Sequence, residues 1–544
     1  MSKVAQYLNE HLLGEVTTND HVRRRYATDA SILTIVPDMV IYPRATSDLR
    51  KVARFSWQLA EKGHKLPITP RGAGSDLTGG AIGSGVIVDM SAHMNTIFEI
   101  DHKQKLVRVQ PGVSFNELNQ SLRLQNLYIP SYPASHTVST IGGAIANNAS
   151  GVLSGKYGST QRWVKQLEVV LSNGEVLQSG RLSKRDLQKK KGLQTFEGEI
   201  YRNIDNLITD NSELIDSIAY DIRDNAGYNI VDVKRRDGSI DLTPLFIGAQ
   251  GTLGVISEVI MHAEPVSEAP LVGAIAFPDY ESTRDGMDSL RSLDPTVLEL
   301  VDARVLKTAT DNGNHYPFYT DALERDEVAA VIVFEFDEHS SRAKKKIGKK
   351  VAKLFDQQPA YVVLEEKPAK AADLRALASI TSLALIPDKG DVCAPIVLDG
   401  AYVPPERFED FGKALAKLET KYHVELPLCG HLTQSVYHTR PLVDFKKPSE
   451  RQKVLKLLAE WSTLVSAHGG HLIGESAEGR LKSIFAYKEL EDSVLQMFMA
   501  IREVFDPMGI MNTGVKQAGE LKKLVDELRP DYNDSLYGYI GKMD

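Results

Sequence analysis

A chain of 544 residues, 42% hydrophobic and 25% charged, has the composition of a water-soluble globular protein with room for about two to four domains. Its net charge of −8 argues against a nucleic-acid-binding surface, and no run approaches the roughly 18 uncharged apolar residues that span a membrane. Two cysteines, Cys393 and Cys429, are too few for a disulfide framework or for holding an iron–sulfur cluster alone.

The opening segment, MSKVAQYLNEHLLGEV, mixes charge with apolar residues and has no signal-peptide core. A cytoplasmic location is expected, with peripheral contact at the inner face of a membrane left open. From residue 38, the stretches DMVIYP, LPITP, GVIVDM and KLVRVQPGV read as short strands. Between the first two, SDLRKVARFSWQLAEKG reads as a helix with Ser47 as N-cap and Gly63 at its end. PRGAGSDLTGGA (Pro70–Ala81) is a first glycine-rich loop and STIGGAIANNASGVLSGKYGST (Ser139–Thr160) a second. QLEVVLSNGEVL is a hairpin turning at Asn173-Gly174, and FIGAQGTLGVISEVIM (Phe246–Met261) joins a third glycine loop to a strand. Three such loops ahead of residue 265 suggest one large ligand lying along a single domain.

Beyond about residue 265 the texture changes. LVGAIAF, TVLELVDARVL, AAVIVFEF and AYVVLEE alternate with helical stretches, as in a layer of helices on a sheet. The basic run Lys344–Lys350 reads as a solvated helix face with Ile347 and Val351 turned inward. A helix over Ser449–His468 presents Val454, Leu458, Trp461 and Val465 on one side and stops at Gly469-Gly470. FMAIREVFDPMGIMNTG closes another helix at a Pro-Gly turn.

Four glycines around one basic residue in the first loop suit an anion, because clustered backbone N–H groups bind phosphate. A P-loop would end in Gly-Lys-Ser/Thr, but Gly79-Gly80 precedes Ala81; the Rossmann spacing G-x-G-x-x-G is also absent.

Taken together, PRGAGSDLTGGA, TIGGAIANNASG…KYGS…LEVVLSNGE and GAQGTLGVISEV resemble the FAD-binding domain of the vanillyl-alcohol-oxidase-type (PCMH-type) flavoproteins. RYATDASI upstream and FDPMGIMNTGVK downstream look like the branch of D-lactate, D-2-hydroxyglutarate and glycolate dehydrogenases, which carries an FAD-linked oxidase C-terminal domain. The resemblance runs from about Arg25 to Lys516. It implies an α+β fold, with a two-lobed PCMH-type FAD-binding domain over 1–265. An α/β cap domain with an antiparallel or mixed sheet would cover 266–498, and 499–544 would return to the FAD domain. It implies noncovalent FAD, since the positions where some relatives tether the flavin through a histidine are Ser75 and Asp76. Pro70, Arg71, Gly72, Ala73, Gly74, Ser75, Asp76, Gly79 and Gly80 would wrap the pyrophosphate, near Pro133, Ser139, Thr140, Ile141, Gly142 and Gly143. Asn147, Ala149, Ser150, Gly151, Tyr157 and Gly158 would run past the flavin, and Gly251, Gly254, Val255, Ile256 and Asn512 would also line the cofactor.

On the substrate side, Arg375 matches the carboxylate-binding arginine of the branch, although alone it reads as a surface residue of an amphipathic helix. Ser379 follows one turn later, and Lys389 matches a second cationic position. His431, His438 and Glu475 match the ligands of a divalent ion, usually zinc, which would polarise a substrate's oxygens. Two histidines seven apart point to opposite faces of a straight strand, so the chain must bulge or turn between them. Three departures stand out. Ser476 replaces the histidine that relatives use as base, with His471 a nearby substitute; Gln250 replaces an acidic residue; and Leu432, Thr433, Gln434, Ser435 and Val436 replace small and polar ones. The expected activity is FAD-dependent oxidation of a small D-2-hydroxy acid, D-lactate first, to the 2-oxo acid. A separate redox partner or quinone is expected to take the electrons, because the cysteine-rich iron–sulfur extension of longer relatives is missing. The alternatives are a flavoprotein for another or larger hydroxy acid or alcohol, and a noncatalytic FAD-binding subunit of a redox complex.

Overall fold

The computed structural model describes residues 3–218, 225–266, 270–337, 340–380, 382–387, 391–530 and 532. The chain forms two compact units. The first consists of Met1–Ser150, Ser159–Glu264 and Glu475–Arg529; the second is built on Gly151–Gly158 and Pro265–Gly474. The chain therefore re-enters the first unit at Glu475, ahead of the residue 499 expected from sequence. The cause is local: Ala477 N–H donates to Asn147 Oδ1 (3.0 Å) and Gly479 N–H to Gln250 Oε1 (2.9 Å), both on loops of that unit.

The first unit is built on a four-stranded and a five-stranded sheet. Strands β1 (Glu15–Thr17), β2 (Met39–Tyr42), β3 (Ile68–Arg71) and β4 (Val86–Asp89) lie in the order β1-β2-β4-β3, with β2 and β3 parallel to β4. The parallel pairing requires a crossover, supplied by the helix Thr46–Glu61. Its Leu49, Val52 and Ala53 pack on Met39, Ile41, Ile68, Val86 and Val88. Ser47 is not its N-cap. The cap position is Ala45, which offers no side chain, and the buried Asp48 of the first turn accepts from the N–H groups of Leu13 (2.9 Å), Gly14 and Arg44 (both 3.0 Å). One carboxylate thus starts the helix and pins the N-terminal segment. Gly63 does mark its end, at φ +82°.

The second sheet is antiparallel: β5 (Ile97–Asp101), β6 (Leu106–Val109), β7 (Val164–Val170), β8 (Val176–Gln178) and β9 (Val255–His262) stand in the order β5-β6-β9-β7-β8. The Asn173-Gly174 turn joins β7 to β8, with Gly174 at φ +84°.

In the second unit, seven strands form one antiparallel sheet, resolving the expected antiparallel or mixed cap. They are β10 (Leu271–Phe277), β11 (Val297–Asp302), β12 (Ala330–Phe336), β13 (Tyr361–Glu365), β14 (Leu398–Tyr402), β15 (Cys429–His431) and β16 (Val436–Thr439), in the order β13-β10-β12-β11-β15-β16-β14. One face carries Val272, Ala274, Val331, Val333 and Val301 under the helices Ala303–Asp311, Pro317–Leu323 and Pro368–Ala376. The helix Pro448–Ala467 buries Val454, Leu458, Trp461 and Val465 as its spacing requires. In the basic helix Ser341–Phe355, Val351 and Phe355 are buried and Ile347 is half-buried; Lys344 is also buried, with its Nζ 4.0 Å from Glu366.

Candidate functional site

The first glycine loop leaves β3 at Arg71, whose buried guanidinium donates to the carbonyls of Thr28 (2.8 Å) and Ala81 (3.2 Å) and lies over the Tyr26 ring. Loop entry and exit are thereby tied together through one side chain, and burial pulls the Arg71 pKa down. Within the loop Asp76 accepts from Thr78 N–H (2.9 Å), Thr78 Oγ1 (2.9 Å) and Gly80 N–H (2.6 Å), so its carboxylate is spent shaping the turn. Asp29 accepts from Ala81 N–H; its burial, with Asp76 near, pushes its pKa up to about 6. Gly74 sits at φ +74°, where any Cβ would strike the Arg71 guanidinium. Among the described residues no acceptor meets the N–H groups of Gly72, Ala73, Gly74 and Ser75. Four successive backbone donors make a nest for an anion.

The second loop meets the first. Thr140 caps the short helix Ile141–Ala146, and a Cβ on Gly72 would run into Thr140 Oγ1. Ser75 and Ser139 hydroxyls are 3.1 Å apart, and Ser135 and Ser139 hydroxyls 2.6 Å. Gly142 lies so close to Pro111 that a Cβ there would be 2.5 Å from the ring, whereas Gly143 is crowded by Thr140 alone. Pro133 begins a turn that receives His136 N–H, and Ser131 Oγ is buried without a partner.

The third loop ties in through Gln250, at φ +49°. Its Nε2 lies within 3.3–3.4 Å of Asp76 Oδ1, Thr78 Oγ1 and Asn147 Oδ1, while its Oε1 accepts from Gly479. An amide offers donor and acceptor at once, which an acidic residue here would not. Gly251 follows at φ +73°, against the Pro70 ring, and Gly254 at φ +152° opens β9, on which Val255 and Ile256 pair with Val170 and Val169. Asn512, fully buried, donates from Nδ2 to the carbonyls of Gly80 (2.8 Å) and Gln250 (2.6 Å) and accepts from Thr69. Asn512 therefore reaches the loops through their backbone.

Two further groups support this corner. Arg480 donates to the carbonyls of Gly79 (3.0 Å) and Ile82 (2.8 Å). Glu478 and Lys516, both fully buried, pair at 2.6 Å; Glu478 also accepts from Gly227 N–H (2.9 Å) and Tyr487 OH (2.5 Å). Neither group is signalled by local spacing, since each partner comes from a distant stretch of chain.

The expected flavin-side loop divides. Asn147, Ala149 and Ser150 remain in the first unit, but Gly151, Tyr157 and Gly158 belong to the second. There Tyr157 OH donates to Asp337, which also pairs with Lys156 and accepts from Thr296 Oγ1 (2.7 Å). Gly155 packs on Thr433, and Gln434 reaches the Gly151 carbonyl, so the loop rests on the turn between the two histidines.

That turn answers the spacing problem. Residues 432–435 reverse the chain, Ser435 taking φ +56°, so that His431 stands opposite Val436 and Cys429 opposite His438. His431 and His438 thus share one face, with ring centroids 5.9 Å apart. Glu299 stands opposite His431 on β11, its two oxygens 2.7 and 2.8 Å from Nδ1. Burial pushes the neighbouring Cys429 thiol up to about 11. On the same face Glu335 of β12 receives Arg375 in a two-pronged bond, from Nε (2.7 Å) and Nη2 (2.8 Å). Ser379 lies beyond the helix, and its Oγ donates to the Arg375 carbonyl. His471 pairs through its backbone with Tyr402 and stacks on that ring, and Ser476 takes φ +62°. Lys389 lies outside the described residues.

Residues 37–180 match a family model described as FAD binding domain, and residues 267–515 match one described as FAD linked oxidases, C-terminal domain. The chain belongs to the PCMH-type, FAD-linked oxidase flavoproteins. It is 27% identical over 512 residues to D-2-hydroxyglutarate dehydrogenase of Pantoea ananatis, covering 92% of this chain and 50% of that protein. The chain thus spans about half the length of that relative. It is 26% identical to glycolate oxidase subunit GlcD of Bacillus subtilis, over 90% of this chain and 91% of the relative. Its fold is that of p-cresol methylhydroxylase, with a TM-score of 0.69 at 14% identity over 96% of this chain and 97% of that one.

The first unit of this flavoprotein fits FAD. A run of four backbone donors with small or no side chains, flanked by the hydroxyls of Thr140 and Ser139, suits a pyrophosphate. Gly72→Val would drive a branched side chain into Thr140, and the purified protein is expected to retain less than a tenth of the wild-type flavin, measured by absorbance after denaturation; full flavin content would contradict the cradle.

The expected zinc site finds no support. Among the described residues no group of three or more His, Cys, Asp or Glu is arranged to hold a metal ion. His431 and His438 come together as anticipated, with Glu299 against His431 Nδ1.

Proposed function

We propose that this flavoprotein is an FAD-dependent dehydrogenase that oxidises a D-2-hydroxy acid to the 2-oxo acid, with D-lactate and D-2-hydroxyglutarate the substrates to try first. The reading is supported by the relatives, which are named as dehydrogenases or oxidases of 2-hydroxy acids. It is carried by one observation: a fork-held arginine and two histidines share a single face of the second unit's sheet.

Oxidation of a 2-hydroxy acid removes a hydride equivalent from the α-carbon and a proton from the hydroxyl. FAD, when bound, supplies a two-electron acceptor for the hydride. Arg375 binds the substrate carboxylate, a task suited to a planar guanidinium whose orientation Glu335 fixes. With serine at position 476, the proton falls to His431. Donating Nδ1–H to Glu299 selects the tautomer whose Nε2 is basic, and the carboxylate stabilises the imidazolium that forms. A separate redox partner or quinone then takes the electrons.

Turnover with an artificial dye as acceptor tests the substrate. D-lactate, D-2-hydroxyglutarate and glycolate are compared with the L enantiomers of the first two. Dye reduction confined to D acids and glycolate is expected. Preference for an L acid, or for an alcohol without a carboxylate, would overturn the assignment.

A further inference from the structure

The helix Ser341–Phe355 carries seven basic residues and no acidic one in its 15 positions, in a chain of net charge −8 that would stand at −15 without it. Lys344 turns inward toward Glu366, beside the buried Val351 and Phe355. The other six, Arg342, Lys345, Lys346, Lys349, Lys350 and Lys353, are all exposed. At 3.6 residues per turn they fall within a sector of about 140°, along a helix about 22 Å long.

Their spacing makes them neighbours. Arg342 and Lys346, Lys345 and Lys349, Lys346 and Lys350, and Lys349 and Lys353 all stand at i,i+4, where like charges repel. Elsewhere on the surface the helical lysines of this chain commonly find an acid one turn away, as Lys307 finds Asp311 and Lys413 finds Glu409. Among the described residues no ion pair relieves any of the six. The strip thus keeps an electrostatic cost that a negatively charged partner would remove.

We propose that this strip docks the protein on an anionic lipid surface. Five of the six cations are lysines, which protein interfaces deplete and anionic headgroups attract without needing a fixed geometry. The strip is straight and lies on one side of a helix packed against its own sheet, which suits a plane. Leu354, exposed at its margin, adds a short apolar contact. The inference does not depend on which acid the enzyme oxidises.

Sedimentation of the full-length flavoprotein with vesicles tests it, using phosphatidylcholine alone and phosphatidylcholine with 30% phosphatidylglycerol. Binding is expected only to the anionic vesicles, with release as salt is raised. The variant K345Q/K349Q/K353Q, verified to keep wild-type flavin content and melting temperature, is expected to bind about 100-fold more weakly, each lysine near an anionic surface contributing about a factor of five. No binding to anionic vesicles at low salt, or equal binding by the variant, would overturn the proposal.

Discussion

Glu478→Gln is expected to destabilise the first unit by about 3–5 kcal/mol, among the largest effects of any single substitution here, because it leaves the Lys516 ammonium buried without a counter-charge. The amide retains a carbonyl for Gly227 N–H and Tyr487 OH, so the loss is confined to the contact with Lys516, its charge and its hydrogen bond together. Both partners lie on segments that brace the cofactor loops: Glu478 precedes Gly479 and Arg480, and Lys516 donates its own N–H to the Gly479 carbonyl. Flavin should therefore be lost together with stability. The double variant Glu478→Leu, Lys516→Met removes both charges and should recover a large part of the loss. Denaturant unfolding of the three proteins measures this, and an unchanged midpoint for the single variant would show that Lys516 finds another partner or sheds its proton.

Arg375→Ala is expected to lower kcat/KM for the hydroxy acid by about 100-fold, as two charge-assisted hydrogen bonds to a carboxylate would suggest, mostly through KM. It also strands Glu335, which is mostly buried on the sheet. Glu335→Gln makes the sharper comparison. The side chain remains nearly isosteric but loses its charge and one of the two acceptor oxygens of the fork, and a fall of about tenfold is expected with flavin content unchanged. Steady-state kinetics on both variants separate substrate binding from cofactor retention. If Arg375→Ala leaves KM unaltered, the carboxylate is bound elsewhere.

Much of the cofactor region was legible because glycines report backbone requirements directly. Gly72, Gly74 and Gly251 each stand where a Cβ would strike a neighbour, and Asn173-Gly174 turns its hairpin as the dipeptide suggests. Strands and helices with strong periodicity were equally readable, Trp461 and its apolar neighbours above all. What escaped depends on long-range pairing. Asp48 displaced Ser47 as helix starter because its carboxylate also serves the N-terminal segment. Gln250 looked like a defect against the family pattern but is a four-way junction that only an amide can fill. Glu299 and Glu335 did leave a signal, since a lone acid in a run such as TVLELV or VIVFEF implies a buried partner. No spacing rule, however, would have named His431 and Arg375 as those partners. Motif order likewise does not reveal that Glu475 joins a different unit from the histidines.

The central claim, a flavin reduced by a D-2-hydroxy acid, is tested most directly by mixing the purified flavoprotein without oxygen with D-lactate, D-2-hydroxyglutarate and their L enantiomers while recording flavin absorbance. Bleaching by a D acid and not by its mirror image is the predicted result. A flavin spectrum that no 2-hydroxy acid changes would contradict it and favour a noncatalytic FAD-binding role.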